Sequence, residues 1–271
     1  IEHFDRHLGR MLRELRRRGE LGNTLVVVTS GHGMPFPRAK ANGLYDASSR
    51  VPLAIAWPGV VPPGRTVRDL VGLTDLAPTF LEAAGLSVPE AMTGRSLVPV
   101  LTSEESGRTG EGREHVVMGF ERHTWARPGG RGYPMRAIRT HEYLYVRNYA
   151  SERWPAGNPR FDSPHQGFYG DIDDSPTKTF LVAHQDDPEV APFFELAFDK
   201  RPAEELYDLS ADPGQIDNVA GDSAYRDVQR RLRREMEQYL RETSDPRVEG
   251  RAPWSQYPYY FGSYAERSEK D

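Results

Sequence analysis

The chain has 271 residues, enough for one large domain or two small ones, and carries a formal net charge of −5. This charge gives no electrostatic argument for nucleic acid or an anionic membrane as a partner. No apolar run approaches the ~20 residues of a membrane-spanning helix. The sequence contains no cysteine, which excludes disulfides and thiolate metal sites.

The first hundred residues predict an α/β fold class. A β-branched run at 25–28 indicates a buried parallel strand, and a similar run at 51–57 indicates a second one. A helix is predicted over 74–84, with Gly85 ending it. The chain opens with an amphipathic helix that ends near 19–22. The apolar face of this first helix consists of Phe4, Leu8, Met11, Leu12 and Leu15.

The second part of the chain predicts a small antiparallel subdomain. A polar, glycine-rich stretch at 102–115 is typical of a linker or surface loop. A helix is predicted over 223–241, and its apolar face requires a partner because an isolated helix of this length is marginal in water. Residues 150–200 show little periodicity and predict a long ordered loop. Strands are predicted at 115–120, 134–140 and 143–149, the last two forming a hairpin.

The loop between the first two strands contains the first candidate site residues. His32 follows the first strand by three residues, between two glycines, where ligands bind in open α/β sheets. It is a candidate metal ligand or anion donor, or simply a histidine held by a loop hydrogen bond. Arg38 and Lys40 follow, and their charges suit a tetrahedral oxyanion, although both can also be solvated loop cations.

Several separate blocks, in order along the chain, resemble one family. "NTLVVVTSGHG", "RVPLAIAWPG", "LTDLAPTFLEAAGL" and "GRSLVPVL" are similar to the second half of a type I sulfatase, of the alkaline phosphatase superfamily. "MPFPRAKAN", "GYPMRAIRT" and "AEELYDLSADPGQIDNVA" resemble its N-sulfoglucosamine sulfohydrolase (sulfamidase) branch. The resemblance implies that 1–111 is the C-terminal part of an alkaline-phosphatase-like mixed sheet with flanking helices. It implies that 112–271 is a C-terminal subdomain with an antiparallel sheet, a long loop and a packed helix.

The resemblance also implies a metal site and a catalytic cation. The family motif after the first strand is D-N-G or D-H-G, whose first two residues bind calcium. Here Gly31 stands where the aspartate is expected, and His32 fits the second ligand position. Losing a carboxylate from an oxygen cage weakens calcium binding, and histidine is a poor calcium ligand. Lys40 fits the family lysine that contacts the sulfate.

A second candidate cluster follows the strand at 115–120. Under the resemblance, Glu121, Arg122 and His123 lie near the substrate pocket, with Glu121, Arg122 and also Arg38 as substrate-binding residues. His123 is a candidate catalytic residue that hydrogen-bonds a sugar or the leaving group. An ordinary polar loop cluster is the alternative interpretation.

The implied activity is hydrolysis of a sulfate ester or sulfamate on a sulfated sugar such as N-sulfoglucosamine, in glycosaminoglycan degradation. The family nucleophile, a formylglycine made in a C/S-x-P-S/A-R motif, is expected upstream, and no such motif occurs here. This chain alone is therefore expected to be inactive. Two alternatives remain: a phosphatase or phosphonate hydrolase of the same superfamily, and a degenerate, non-catalytic glycan-binding homologue, for which Gly31 is the best argument. A periplasmic, secreted or lysosomal location would accord with the family.

Overall fold

The computed structural model describes residues 1–164 and 166–257. In this part of the chain the helices are α1 (Glu2–Arg17), α2 (Asp46–Ser49), α3 (Leu76–Ala83), α4 (Val98–Thr102), α5 (Pro176–Ala183), α6 (Ala191–Phe198) and α7 (Arg226–Glu242). The strands are β1 (Val26–Thr29), β2 (Leu53–Ala56), β3 (His115–Phe120), β4 (Met135–Thr140), β5 (Tyr143–Asn148) and β6 (Glu204–Asp208). No helix in the described residues is both long and apolar enough to cross a membrane.

The chain forms two compact units, one of residues 1–30 and 52–114, the other of residues 31–51 and 115–271. The segment with the candidate loop thus groups with the second unit. The predicted assignment of 1–111 to a catalytic domain and 112–271 to a subdomain stays a prediction.

In the first unit, β1 and β2 form an antiparallel pair, with Val26 opposite Ala56 and Thr29 opposite Leu53. The prediction of a buried, parallel strand was wrong, because β1 pairs antiparallel with β2 and is only half-buried. A run of β-branched residues favours an extended backbone, but it carries no information on the direction of the partner strand. β2 alternates between half-buried and exposed positions, as a strand with one covered face does.

The predicted helix at 74–84 is confirmed as α3, with Gly85 in the left-handed region (φ 71°) just beyond it. Asp75 precedes α3 and is fully buried. Its carboxylate accepts hydrogen bonds from the backbone N–H groups of Gly72 and Arg95, each at 2.8 Å, and pairs with Arg113. This carboxylate therefore fixes the entry to the helix.

In the second unit, four antiparallel strands follow the order β3-β4-β5-β6. The predicted hairpin is confirmed: β4 and β5 pair with Ile138 opposite Tyr145. The packed helix is confirmed as well, because α7 buries Leu232, Met236 and Leu240 in one cluster with residues of the sheet. The strand β6 was not predicted; it pairs with β5 and completes the sheet.

The predicted long loop over 150–200 contains two helices, α5 and α6, so that prediction was wrong in part. Each helix has eight residues, about two turns, which is too short to show a clear helical period. Ser175 caps α5 by accepting a hydrogen bond from the Lys178 backbone N–H at 3.1 Å. Phe198 at the end of α6 is fully buried against Tyr169.

Candidate functional site

The site is built on the segment 31–51, whose backbone leaves no room for a side chain at Gly33. The Gly33 N–H donates to the Ser48 carbonyl at 2.7 Å, and a Cβ on Gly33 would lie 1.8 Å from the Ala47 carbonyl oxygen. Only glycine allows this close approach. Arg38 and Ala41 adopt positive φ angles, 60° and 61°, so the loop between them turns tightly around Lys40.

A buried carboxylate fastens this segment to the sheet. Glu205 on β6 accepts hydrogen bonds from the hydroxyls of Tyr45 and Tyr207, at 2.7 and 2.6 Å, and from the Asn148 amide at 2.7 Å. Burial, together with the nearby Glu205 charge, raises the pKa of both tyrosines. The candidate loop therefore rests on a fixed polar network within the second unit.

Arg38 uses its guanidinium inside this network. It donates to the Gln215 carbonyl and lies 4.2 Å from the centre of the Tyr45 ring. Each of these contacts is internal to the protein. The predicted substrate contact of Arg38 stays a prediction.

Lys40 forms an ion pair with Asp173, with 2.8 Å between Nζ and Oδ2. About a quarter of each side chain remains exposed, 24% for Lys40 and 23% for Asp173. The Gln166 amide donates to the other oxygen of Asp173 at 3.1 Å. The ammonium group is thus held in place and is still reachable from solvent.

Gly31 and His32 are exposed, and the His32 Nδ1 lies 2.8 Å from the Gly33 carbonyl oxygen. Within 1–164 and 166–257, no group of three or more His, Asp or Glu side chains is arranged to hold a metal ion. Calcium requires 6 to 8 oxygen ligands, and Gly31 supplies no side-chain oxygen. The described residues therefore do not form a calcium site by themselves, and the placement of His32 as a ligand stays a prediction.

Glu121 and Arg122 contact the end of the described chain. Glu121 pairs with Arg136 at 2.8 Å and also with Arg247. Arg122 donates to the carbonyls of Gly130 and Tyr257, at 3.2 and 3.1 Å. Both side chains thus make protein contacts, and their predicted contacts with substrate are not tested.

His123 faces a buried acid instead. Its Nδ1 lies 3.6 Å from Oδ1 of Asp171, whose side chain is completely buried and pairs with Arg127 at 2.7 Å. The sequence analysis did not single out either Asp171 or Asp173. The available signal was the run "DIDD" at 171–174, with three carboxylates within four residues. The structure brings Lys40 and His123 to this one segment, while Glu121 and Arg122 contact other parts of the unit.

Comparison with known proteins defines the class. The chain is similar to the solved structure of BT4656 in complex with its substrate D-glucosamine-2-N,6-O-disulfate, with a TM-score of 0.61 and 26% identity over 89% of this chain and 39% of that one. It is 27% identical to an ulvan-active sulfatase of Formosa agariphila, over 90% of this chain and 37% of the relative. Along most of its length the chain is similar to the C-terminal portion of sulfatases, and the predicted fold class is confirmed.

Within the sulfatases, the chain is also similar to the N-sulphoglucosamine sulphohydrolase branch. The family described as "N-sulphoglucosamine sulphohydrolase, C-terminal" matches residues 40–156. The human N-sulphoglucosamine sulphohydrolase is 30% identical over 92% of this chain and 47% of the relative. The chain therefore spans less than half the length of these curated relatives.

Proposed function

We propose that this protein is a sulfatase that removes sulfate from sulfated sugars, with N-sulfoglucosamine as the substrate class. The observation that carries the proposal is the similarity to the human N-sulphoglucosamine sulphohydrolase along 92% of the chain. Its sequence relatives named above are sulfatases, so a phosphatase or phosphonate hydrolase is not favoured. In this proposal the nucleophile and further metal ligands come from residues outside this chain.

The role we assign to this chain is to present charge and hydrogen bonds to the sulfate and the sugar. The Lys40 ammonium, held by Asp173 and partly exposed, is suited to stabilise negative charge on the sulfuryl oxygens as the S–N or S–O bond breaks. The role we assign to His123 is a hydrogen bond to the sugar or the leaving group. The 271 residues contain no C/S-x-P-S/A-R motif, and in this proposal they release no sulfate by themselves.

The test measures sulfate release from N-sulfoglucosamine and from glucosamine 6-sulfate by the full-length gene product and by the 271-residue chain. We expect turnover by the full-length protein only. In that protein, Lys40→Ala should lower kcat/KM by about 100-fold, the typical effect of removing one group that stabilises a developing oxyanion. Lys200→Ala is the matched control, because Lys200 is exposed and lies over the Trp154 ring, 5.5 Å from its centre.

Full-length protein that releases no sulfate, or that prefers a phosphonate ester, would contradict the proposal. A second candidate function is that of a non-catalytic homologue that binds sulfated glycan. Gly31 favours this function, because this glycine stands where the family has a carboxylate. That candidate predicts binding of the sulfated sugar by calorimetry without release of sulfate. The same two measurements therefore separate the two functions.

A further inference from the structure

Asp171 is a buried carboxylate that is held on two sides. Arg127 pairs with its Oδ2 at 2.7 Å, and the Thr124 backbone N–H donates to its Oδ1 at 3.3 Å. Arg127 is itself buried and donates to the carbonyls of Trp154 and Pro155, at 2.7 to 2.8 Å. Because these carbonyls hold Arg127 in place, Arg127 fixes the orientation of Asp171. Its positive charge also compensates the charge of the carboxylate.

His123 is buried at the ring nitrogen that faces this acid, and the rest of its side chain is partly exposed. Its Nδ1 is buried, lies 3.6 Å from Oδ1 of Asp171, and makes no hydrogen bond to another described residue. Nevertheless 28% of the side chain is exposed. The exposed part of the side chain therefore excludes Nδ1, which accords with an accessible Nε2.

We propose that Asp171 is a positioning residue that accepts the Nδ1 proton of His123, fixes the ring orientation and tautomer, and leaves Nε2 to face the ligand. A neutral imidazole bears its proton on one nitrogen, and an acceptor beside Nδ1 selects the tautomer with a free Nε2 lone pair. In this tautomer Nε2 can accept a proton or a hydrogen bond from a sugar hydroxyl or amine. The effect on turnover rests on the proposed sulfatase function, whereas the effect on the tautomer does not.

The same segment also supports the choice of Asp171. Asp171 and Ile172 are almost fully buried, whereas the Asp173 side chain is partly exposed. Asp171 lies next to His123, and Asp173 forms an ion pair with Lys40. A single anchored segment thus sets the positions of both candidate catalytic side chains.

The first test is the tautomer of His123, read from the ¹⁵N chemical shifts of the ring nitrogens in the 271-residue chain. We expect a protonated Nδ1 and an unprotonated Nε2 in the neutral ring. In Asp171→Asn, Arg127 keeps the amide oxygen, so the amide NH₂ takes the place of Oδ1 and the Thr124 N–H loses its acceptor. The NH₂ then faces Nδ1, which becomes the acceptor. The proton should then move, and Nε2–H should become the major form.

Asp173→Asn is the matched control, because that acid pairs with Lys40 rather than with His123. It should leave the His123 tautomer unchanged. A major Nε2–H form in the unaltered chain overturns the proposal, and this result does not depend on whether Asp171→Asn folds. An unchanged tautomer in a folded Asp171→Asn chain overturns it as well.

The second test uses turnover of the full-length protein. Asp171→Asn should lower kcat/KM at least ~10-fold, the lower end for removing the partner of a site residue. Combined with His123→Ala, it should add little, because it acts through that histidine. Independent, multiplicative losses in the double variant would overturn the positioning role. If the unaltered full-length protein had no sulfatase activity, this would contradict the proposed function, and the tautomer test would still decide the role of Asp171.

Discussion

At the scale of single residues, the two glycines of the Gly31-His32-Gly33 stretch differ in what surrounds them. A Cβ at Gly33 would collide with the Ala47 carbonyl, which makes glycine necessary there. At Gly31, no atom lies within 4 Å of the position of a Cβ, and its φ is not positive. The backbone thus requires the second glycine and tolerates a side chain at the first.

This difference gives a prediction for Gly31→Asp in the full-length protein. If Gly31 stands at a metal-ligand position, the added carboxylate should tighten calcium binding, because calcium prefers anionic oxygen ligands. The gain should exceed the ~0.5 kcal/mol that surface substitutions typically change. Isothermal titration calorimetry with calcium measures it.

Gly22→Asp is the control for Gly31→Asp, since Gly22 is also exposed and has no atom within 4 Å of a Cβ. It adds the same charge at a different place. Equal calcium affinities for both variants would mean that Gly31 is not at a metal position. The predicted ligand role of His32 would then be withdrawn.

At the scale of elements, α7 shows how a strongly charged helix becomes part of a core. Three of its residues, Leu232, Met236 and Leu240, are spaced by four and are all buried. They share one apolar cluster with Ile138 and Tyr145 of the sheet. Many of the remaining positions are arginine or glutamate, and two of them, Arg233 and Glu237, form ion pairs with Glu204 and Arg147 of the sheet.

Leu232→Ala should therefore destabilise the protein strongly. Replacing a fully buried leucine leaves a cavity, and such changes cost about 2–5 kcal/mol. Urea denaturation followed by circular dichroism measures the free energy of unfolding. Arg234→Ala, at an exposed position of the same helix, should stay within ~0.5 kcal/mol. A loss below ~1 kcal/mol for Leu232→Ala would show that α7 does not pack as described.

At the scale of the whole molecule, several buried tyrosines should make the folded state less stable as the pH becomes alkaline. Burial raises the pKa values of Tyr45, Tyr133 and Tyr207, and it raises the pKa of Tyr145 to about 12. In the unfolded chain a tyrosine ionises near pH 10. The folded state thus favours the neutral phenols, and their contribution to stability is fully present below pH ~10 and is lost as pH rises toward 12.

We expect an alkaline titration to show this loss as a coupled transition. Tyrosinate absorbance near 295 nm should lag behind that of the urea-unfolded chain, and the late tyrosines should ionise together with loss of the circular dichroism signal. In Tyr145→Phe the hydroxyl is absent, so stability should fall less between pH 10 and 12. Ionisation of every tyrosine near pH 10 with the fold intact would show that these side chains are not buried.

The sequence by itself determined the features that depend on near neighbours along the chain. Helical spacing of apolar residues predicted α1 and α7, and capping residues with a terminating glycine predicted α3. Two short strand patterns separated by His141 and Glu142 predicted the hairpin of β4 and β5. Several motif blocks predicted the similarity to sulfatases that the comparisons show, including similarity to the N-sulfoglucosamine sulfohydrolase branch. All of these signals are local, because a period or a motif is complete within about ten to twenty residues.

Only the tertiary structure decided how distant segments meet. The antiparallel pairing of β1 with β2, the strand β6 and the short helices α5 and α6 have no local pattern that specifies them. Lys40 meets Asp173 across 133 positions, and His123 meets Asp171 across a stretch that was predicted to be loop. A buried or half-buried charge needs a compensating partner, but any of many carboxylates could supply it. The packing of the folded chain, rather than the sequence around Lys40 or His123, selects the carboxylate that pairs with each of them.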